Sequence, residues 1–142
     1  MPVYNLFLLR QQLERHEGLR LLPYRDSLGH LTCGIGHLMT KPWTMPLVEA
    51  HYAEDVAEAE QALDQFMSWW RKLSDVRQRV LLDMCFNLGI TKLLQFKLFL
   101  GFVRAGDYGH AADAMLKSLW AEQVKGRAVR LAAMMRSDRD QN

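Results

Sequence analysis

The sequence predicts a mainly helical α+β fold: a small β-hairpin lobe, a long connecting helix and a helical C-terminal lobe. Three patterns carry that prediction. Residues 45–72 hold an apolar stripe at helical spacing, residues 17–44 are rich in glycine and lose the helical period, and residues 73–136 divide into short helical patterns. The 142 residues suit a single domain pinched into two lobes. A chain of this length buries ~68% of the surface its unfolded form exposes, enough for a real core. Eight Met and four Trp favour adaptable helical packing over a β-sandwich.

Residues 3–16 read as a helix, with Val3, Leu6, Leu9, Leu13 and His16 recurring at spacings of three and four. Glu17 ends it, and Gly18 suits the left-handed position after the last turn. The carboxylate is therefore at the negative end of a helix dipole, which tends to raise its pKa. Two short strands follow, Leu21–Asp26 and His30–Ile35, with Ser27-Leu28-Gly29 turning between them. Pro23 argues for an edge strand. The hairpin places Asp26 at the turn and Thr32 on the returning strand. Gly34-Ile35-Gly36-His37 is not a phosphate loop, because the third glycine and the following Lys-Ser/Thr are missing.

Lys41-Pro42-Trp43 interrupts the pattern, Thr44 suits a helix cap, and Val48, Tyr52, Val56, Ala59, Leu63, Phe66 or Met67, and Trp70 form one stripe. The opposite face carries Glu54, Asp55, Glu58, Glu60 and Asp64 and reads as solvated. Ser74 or Asp75 starts a helix over 76–88 that is apolar nearly all round from Val80, as a buried central helix would be. Helices over about 92–104, 107–119 and 121–135 follow, and the polar tail from Ser137 to Asn142 reads as frayed. The lobes are thus about 17–44 and about 73–136, the latter with the N-terminal helix, joined by the helix at about 45–72.

Net charge is +2, but residues 76–142 carry eleven Lys/Arg against six Asp/Glu. A polyanion such as nucleic acid, teichoic acid or lipopolysaccharide is one reading of that excess, and a solvated helical surface is the plainer one. Cys33 and Cys85 both sit among apolar residues and read as buried reduced thiols. No metal-ligand spacing occurs. The first ten residues lack a basic n-region and are interrupted by Asn5, so they do not read as a signal peptide. No stretch reaches the ~18 apolar residues that a membrane span needs.

The chemistry concentrates in Glu17–His37. Two carboxylates in different settings divide the labour of glycoside hydrolysis: one gives a proton to the leaving oxygen, the other orients water or stabilises charge on the sugar. Thr32 offers a hydroxyl to hold the attacking water. Tryptophans 69, 70 and 120 offer stacking faces for sugars, but their helical spacing favours core packing.

The run Glu17-Gly18-Leu19-Arg20-Leu21, Tyr24-Arg25-Asp26, Gly29, Leu31-Thr32, Gly34-Ile35-Gly36-His37-Leu38 and Thr40-Lys41 closely resembles the N-terminal signature of phage-type lysozymes, the muramidases of glycoside hydrolase family 24. The likeness continues more weakly through Arg77-Gln78-Arg79, Leu82–Gly89, Phe96, Gly106-Asp107-Tyr108, Ala111-Ala112, Trp120, Gly126-Arg127 and Arg130. It implies a lysozyme-like two-lobe fold and cleavage of the β-1,4 bond between N-acetylmuramic acid and N-acetylglucosamine in peptidoglycan, with inversion. It implies Glu17 as general acid, Asp26 as the water-orienting carboxylate and Thr32 as the water's partner. Leu38, Phe86 and Asn87 match cleft-lining positions. Arg127 matches a basic residue beside the general acid, where it would lower that acid's pKa. His37 is expected to be a structural histidine, with Asp55 as its acid.

No cofactor is implied, and neither nucleic acid nor stable membrane insertion. The expected enzyme is a monomer made in the host cytoplasm that acts on the wall after release, as an endolysin behind a holin, as part of a particle or as a secreted effector. Three departures from the family pattern concern substrate contacts: the stretch from His37 to the long helix is short, so the sheet has two strands or a minimal third; Lys97-Leu98-Phe99-Leu100 replaces a Ser-Thr pair after Phe96; and Ala114 removes a polar contact. Two rivals remain, a lytic transglycosylase and a non-catalytic wall-binding or membrane-disrupting basic module.

Overall fold

The computed structural model describes residues 4–141. Val3, the first apolar position expected of the N-terminal helix, and Asn142 of the tail lie outside them. The chain divides into two compact units, a smaller one up to Met45 and a larger one from Pro46.

The smaller unit begins with helix α1, Leu6–Glu17, capped by the Asn5 side chain, which accepts from Leu8 N at 3.0 Å. Gly18 ends it with φ 81° and ψ 166°. That is a positive-φ but extended conformation, not the left-handed helical one expected, and it turns the chain straight into a strand. Strands β1 (Arg20–Arg25), β2 (Leu31–Gly34) and β3 (His37–Leu38) form one antiparallel sheet in that order. The minimal third strand is therefore present. Thr32 is the one buried residue of this unit among those described, so hydrogen bonds and turn geometry hold it more than an apolar core does.

The larger unit starts with α2, Met45–Phe66. The second half of its expected stripe is buried (Ala59, Leu63, Met67, Trp70), whereas Val48 and Tyr52 are exposed. A helix of 22 residues is about 33 Å long and outruns the core it packs on. It stops at Phe66, short of the expected 72, because Met67 adopts φ −143° and ψ 54° and a 3₁₀ turn, Ser68–Lys72, follows. The break turns Trp70 fully inward while its indole N–H donates to Asp64 at 2.8 Å. Arg71 then bonds Asp64 at 2.8 Å and covers the Trp70 ring at 4.2 Å. The Arg71 and Trp70 hydrogen bonds hold the Asp64 carboxyl below its usual range.

Helix α3, Asp75–Leu88, is capped by Ser74, and its Val80, Leu81, Met84 and Cys85 lie in the core. Helices α4 (Ile90–Leu93), α5 (Lys97–Arg104), α6 (Tyr108–Leu116), α7 (Leu119–Val124) and α8 (Gly126–Ser137) complete the unit around Trp70, Phe99, Leu81, Met84, Met115 and Met135. Tryptophans 70 and 120 are core residues, as their spacing implied. Cys85 is buried and free, and desolvation, aided by the field of Glu58, pushes its thiol up; Cys33 is free and only half-buried. The tail is anchored, not frayed. Asp138 meets Ser74 and lies 3.6 Å from Arg77, and Asp140 lies 2.7 Å from Arg79. None of the described helices is long and apolar enough to cross a membrane.

The helix expected over 121–135 is two helices because Lys125 takes φ 48° and ψ −113°. Only glycine enters that region without cost, and a side chain there stores about 1–3 kcal/mol. Lys125→Gly is therefore expected to raise the thermal midpoint by about 2–4 °C, read by circular dichroism. A lowered midpoint would mean that the turn is not strained.

Candidate active site

Five of the residues singled out in the sequence lie in the smaller unit. Helix α1 delivers Glu17 as its last residue, and the carboxyl rests on the backbone of the β2–β3 turn. A Cβ at Gly36 would lie 2.8 Å from Glu17 Oε2 and 3.0 Å from its Cδ, so only glycine leaves room for the acid. Gly36 also has φ 64°, a conformation that side chains disfavour.

Asp26 closes the β1–β2 hairpin. Its Oδ1 accepts from Leu28 N at 2.9 Å and His30 N at 2.8 Å, and its own N–H donates to His30 O at 2.9 Å. Its Oδ2 lies 3.7 Å from His30 Nδ1. One carboxylate oxygen thus holds the turn, and the other has no hydrogen bond to the described residues of this unit. Thr32, 5% exposed, donates its hydroxyl proton to His30 O at 3.0 Å, which leaves the oxygen as an acceptor.

The register gathers some of these groups and separates one. Tyr24 pairs with Thr32, and Thr32 pairs with Leu38. Tyr24, Thr32 and Leu38 therefore share a sheet face, and Asp26 follows one residue past the end of β1. Glu17 packs on Gly36, two residues before Leu38. His37 pairs with Cys33 and takes the opposite face, where it is exposed.

The larger unit carries the others. Asp83, Phe86 and Asn87 follow at three- and four-residue spacing on α3, so they share a helix face. Asn87 Oδ1 accepts from the Trp120 indole at 2.8 Å, and Trp120 meets Phe96 edge-on at 6.3 Å between centroids. That bond fixes the amide and leaves its NH₂ as donor. Phe86, although on the central helix, is 49% exposed. It lines a hollow of about 360 Å³ together with Tyr52, Leu82, Asp83 and Arg127. A second hollow of about 330 Å³ joins Phe86 to Asp55 and Glu58, both exposed carboxylates of α2.

Arg127 is held inside this unit: its Nε donates to Asp83 Oδ1 at 2.8 Å and its NH2 lies 2.6 Å from the same oxygen. Asp83 is a residue that sequence reasoning did not single out. Its helical spacing to Phe86 and Asn87 was the available signal. Among the described residues, no three His, Cys, Asp or Glu side chains gather as a metal site.

Residues 14–139 match the family profile described as phage lysozyme. The chain is 29% identical to the pre-baseplate central spike protein Gp5 of Enterobacteria phage T4, over 89% of this chain but 27% of that protein. It is 23% and 22% identical to probable T4-type lysozymes 1 and 2 of Dictyostelium discoideum, over 89% of this chain and 92% of each. With that match spanning most of its length, the chain belongs to the phage lysozyme family.

Proposed function

We propose that the protein is an inverting muramidase that hydrolyses the β-1,4 bond between N-acetylmuramic acid and N-acetylglucosamine. The observation that carries this reading is the hairpin that sets Asp26 at its turn and Thr32 on its returning strand, in the same unit as the glycine that seats the Glu17 carboxyl. Glu17 protonates the leaving glycosidic oxygen. A water donates one hydrogen to Thr32 Oγ1, whose own proton is committed to His30 O, and the other to Asp26 Oδ2, which no hydrogen bond occupies within its unit. The water's lone pair then attacks the anomeric carbon from the face opposite the leaving group, and Asp26 takes its proton. Attack from that face inverts the centre. Leu38, Phe86 and Asn87 contact the sugars, the last through its free NH₂. Arg127 is the basic residue that the family likeness assigns to the general acid, with Asp83 orienting it, and His37 and Asp55 are scaffold residues.

Delivery to the wall follows one of three routes. A holin opens the inner membrane for a free endolysin in phage lysis, the domain travels in a particle, or the protein is a secreted effector. The second route is favoured by the likeness to Gp5, whose name places that protein in a central spike. In each case a single chain is sufficient for the chemistry.

The test is loss of turbidity of purified peptidoglycan with the parent, Glu17→Gln and Asp26→Asn. Asp26→Asn keeps an oxygen for both turn N–H groups but loses the charge, so it is expected to fold normally and lose roughly tenfold or more in rate. Mass spectrometry of the products is expected to show hydrated reducing ends. Anhydro products would replace this reading with the transglycosylase. Lysis of whole cells by Glu17→Gln at the parent's rate would replace it with the non-catalytic module.

A further inference from the structure

Residue 30 organises both groups proposed to hold the attacking water. Its backbone N–H donates to Asp26 Oδ1 at 2.8 Å, and its carbonyl accepts from Asp26 N at 2.9 Å and from the Thr32 hydroxyl at 3.0 Å. The main chain makes these bonds, so they survive a change of side chain. The side chain is a histidine, and its Nδ1 lies 3.7 Å from Asp26 Oδ2, the oxygen left for water. That separation is too long for a hydrogen bond and short enough for an ion pair. Asp26 is the ion-pair partner of the imidazole among the described residues. The other charged group at the turn is Arg25, whose guanidinium donates to Gly29 O at 2.9 Å. Further along β1, Arg20 covers the Tyr24 ring, and on β3 His37 pairs with Cys33 and takes the face opposite Thr32. With 57% of the imidazole and 34% of the Asp26 side chain exposed, the ring exchanges protons with bulk water and follows its pH.

An imidazole changes charge between about pH 5 and 8. Neutral, it leaves Asp26 Oδ2 to the water. Charged, it draws Oδ2 into an ion pair and costs the water its acceptor. The same charge opposes the positive charge that builds on the sugar as the glycosidic bond breaks. Both effects slow the reaction. We infer that His30 is a positioning residue for Asp26, releasing Oδ2 to the attacking water when neutral and withholding it when protonated. The inference rests on the reading of Asp26 as the water-orienting carboxylate.

The test compares the parent with His30→Gln in the release of reducing ends from soluble peptidoglycan strands, from about pH 5 to 8. The ratio of the two turnover rates cancels the titration of Glu17 and Asp26, which both proteins share. His30→Gln is expected to match the parent at about pH 8 and to exceed it about threefold at about pH 5, as suits a solvent-screened charge. The substrate concentration for half-maximal rate is expected to stay within about twofold, because the imidazole acts on the water's acceptor and not on the sugar. His30→Lys keeps its positive charge throughout and is expected to run about threefold below the parent at about pH 8. The carboxyl carbon resonance of Asp26, identified by its loss in Asp26→Asn, gives a readout without turnover. It is expected to show a step between about pH 5 and 8 in the parent that is missing in His30→Gln. A rate ratio independent of pH, or the same course of the Asp26 resonance in both proteins, overturns the inference. So does His30→Lys working at the parent's rate at about pH 8. Absence of reducing ends even from the parent removes the muramidase reading and this inference with it, whereas a flat ratio in an active enzyme removes this inference alone.

Discussion

Glu17→Gln will slow peptidoglycan clearing by ~10³-fold and leave the thermal midpoint within about 2 °C of the parent. The substitution is nearly isosteric. It keeps the side chain on Gly36 and removes only the exchangeable proton. Glycosidic oxygen is a poor leaving group unless protonated as the bond stretches, and an amide has no proton to give it. Folding of the smaller unit does not depend on the carboxyl, because no side chain among its described residues bonds to it and the residue is exposed. Alanine would be a poorer test, since it also vacates the space over Gly36. Initial rates of turbidity loss, paired with a melting curve, separate the two effects. A large fall in the midpoint with little fall in rate would make Glu17 a structural residue.

The parts of the molecule legible in the sequence are those governed by local rules. Gly18 after a periodic stretch marked the end of α1, and Ser27-Leu28-Gly29 marked the hairpin that carries Asp26. The same turn placed Asp26 at its start and Thr32 on the returning strand. The breaks in the larger unit were harder to read because residues with no breaking tendency make them. Met67 and Lys125 leave helical geometry without a glycine or proline, since the packing of Trp70 and the junction of α7 with α8 overrule local preference. Ser118 is a usable signal for an earlier start: its hydroxyl accepts from Ala121 N at 3.1 Å and begins α7 at Leu119, two residues before the helix expected from about 121. Asp83 was invisible as a partner for a different reason. Its importance comes from Arg127, forty-four residues away, and no local pattern links the two. The frayed tail failed likewise, because the anchors of Asp138 and Asp140 are on α3 and its cap.

Gly36→Ala will lower the turnover rate by about 10²-fold, more than its cost in stability explains. Two effects act at this position. The added carbon must adopt φ 64°, which costs about 1–2 kcal/mol for an L-residue. It must also displace Glu17, whose Oε2, Cδ and Cβ would lie 2.8, 3.0 and 3.1 Å from it. Rotating the carboxyl relieves the first two contacts but not the third, because Cβ is fixed to the helix backbone. The acid therefore moves with the end of α1, and displacement of a catalytic group by about 1 Å is worth about 10²-fold. Gly34 supplies the control. It has φ 65°, but a Cβ there meets nothing within 4 Å. Gly34→Ala should thus show the same backbone cost in a melting curve while its rate stays within about threefold of the parent. Equal loss of rate in both variants would assign the effect to the strained turn. Loss in Gly36→Ala alone would assign it to the seat of the acid, and so distinguish a glycine kept for its backbone from one kept for the space it leaves to Glu17.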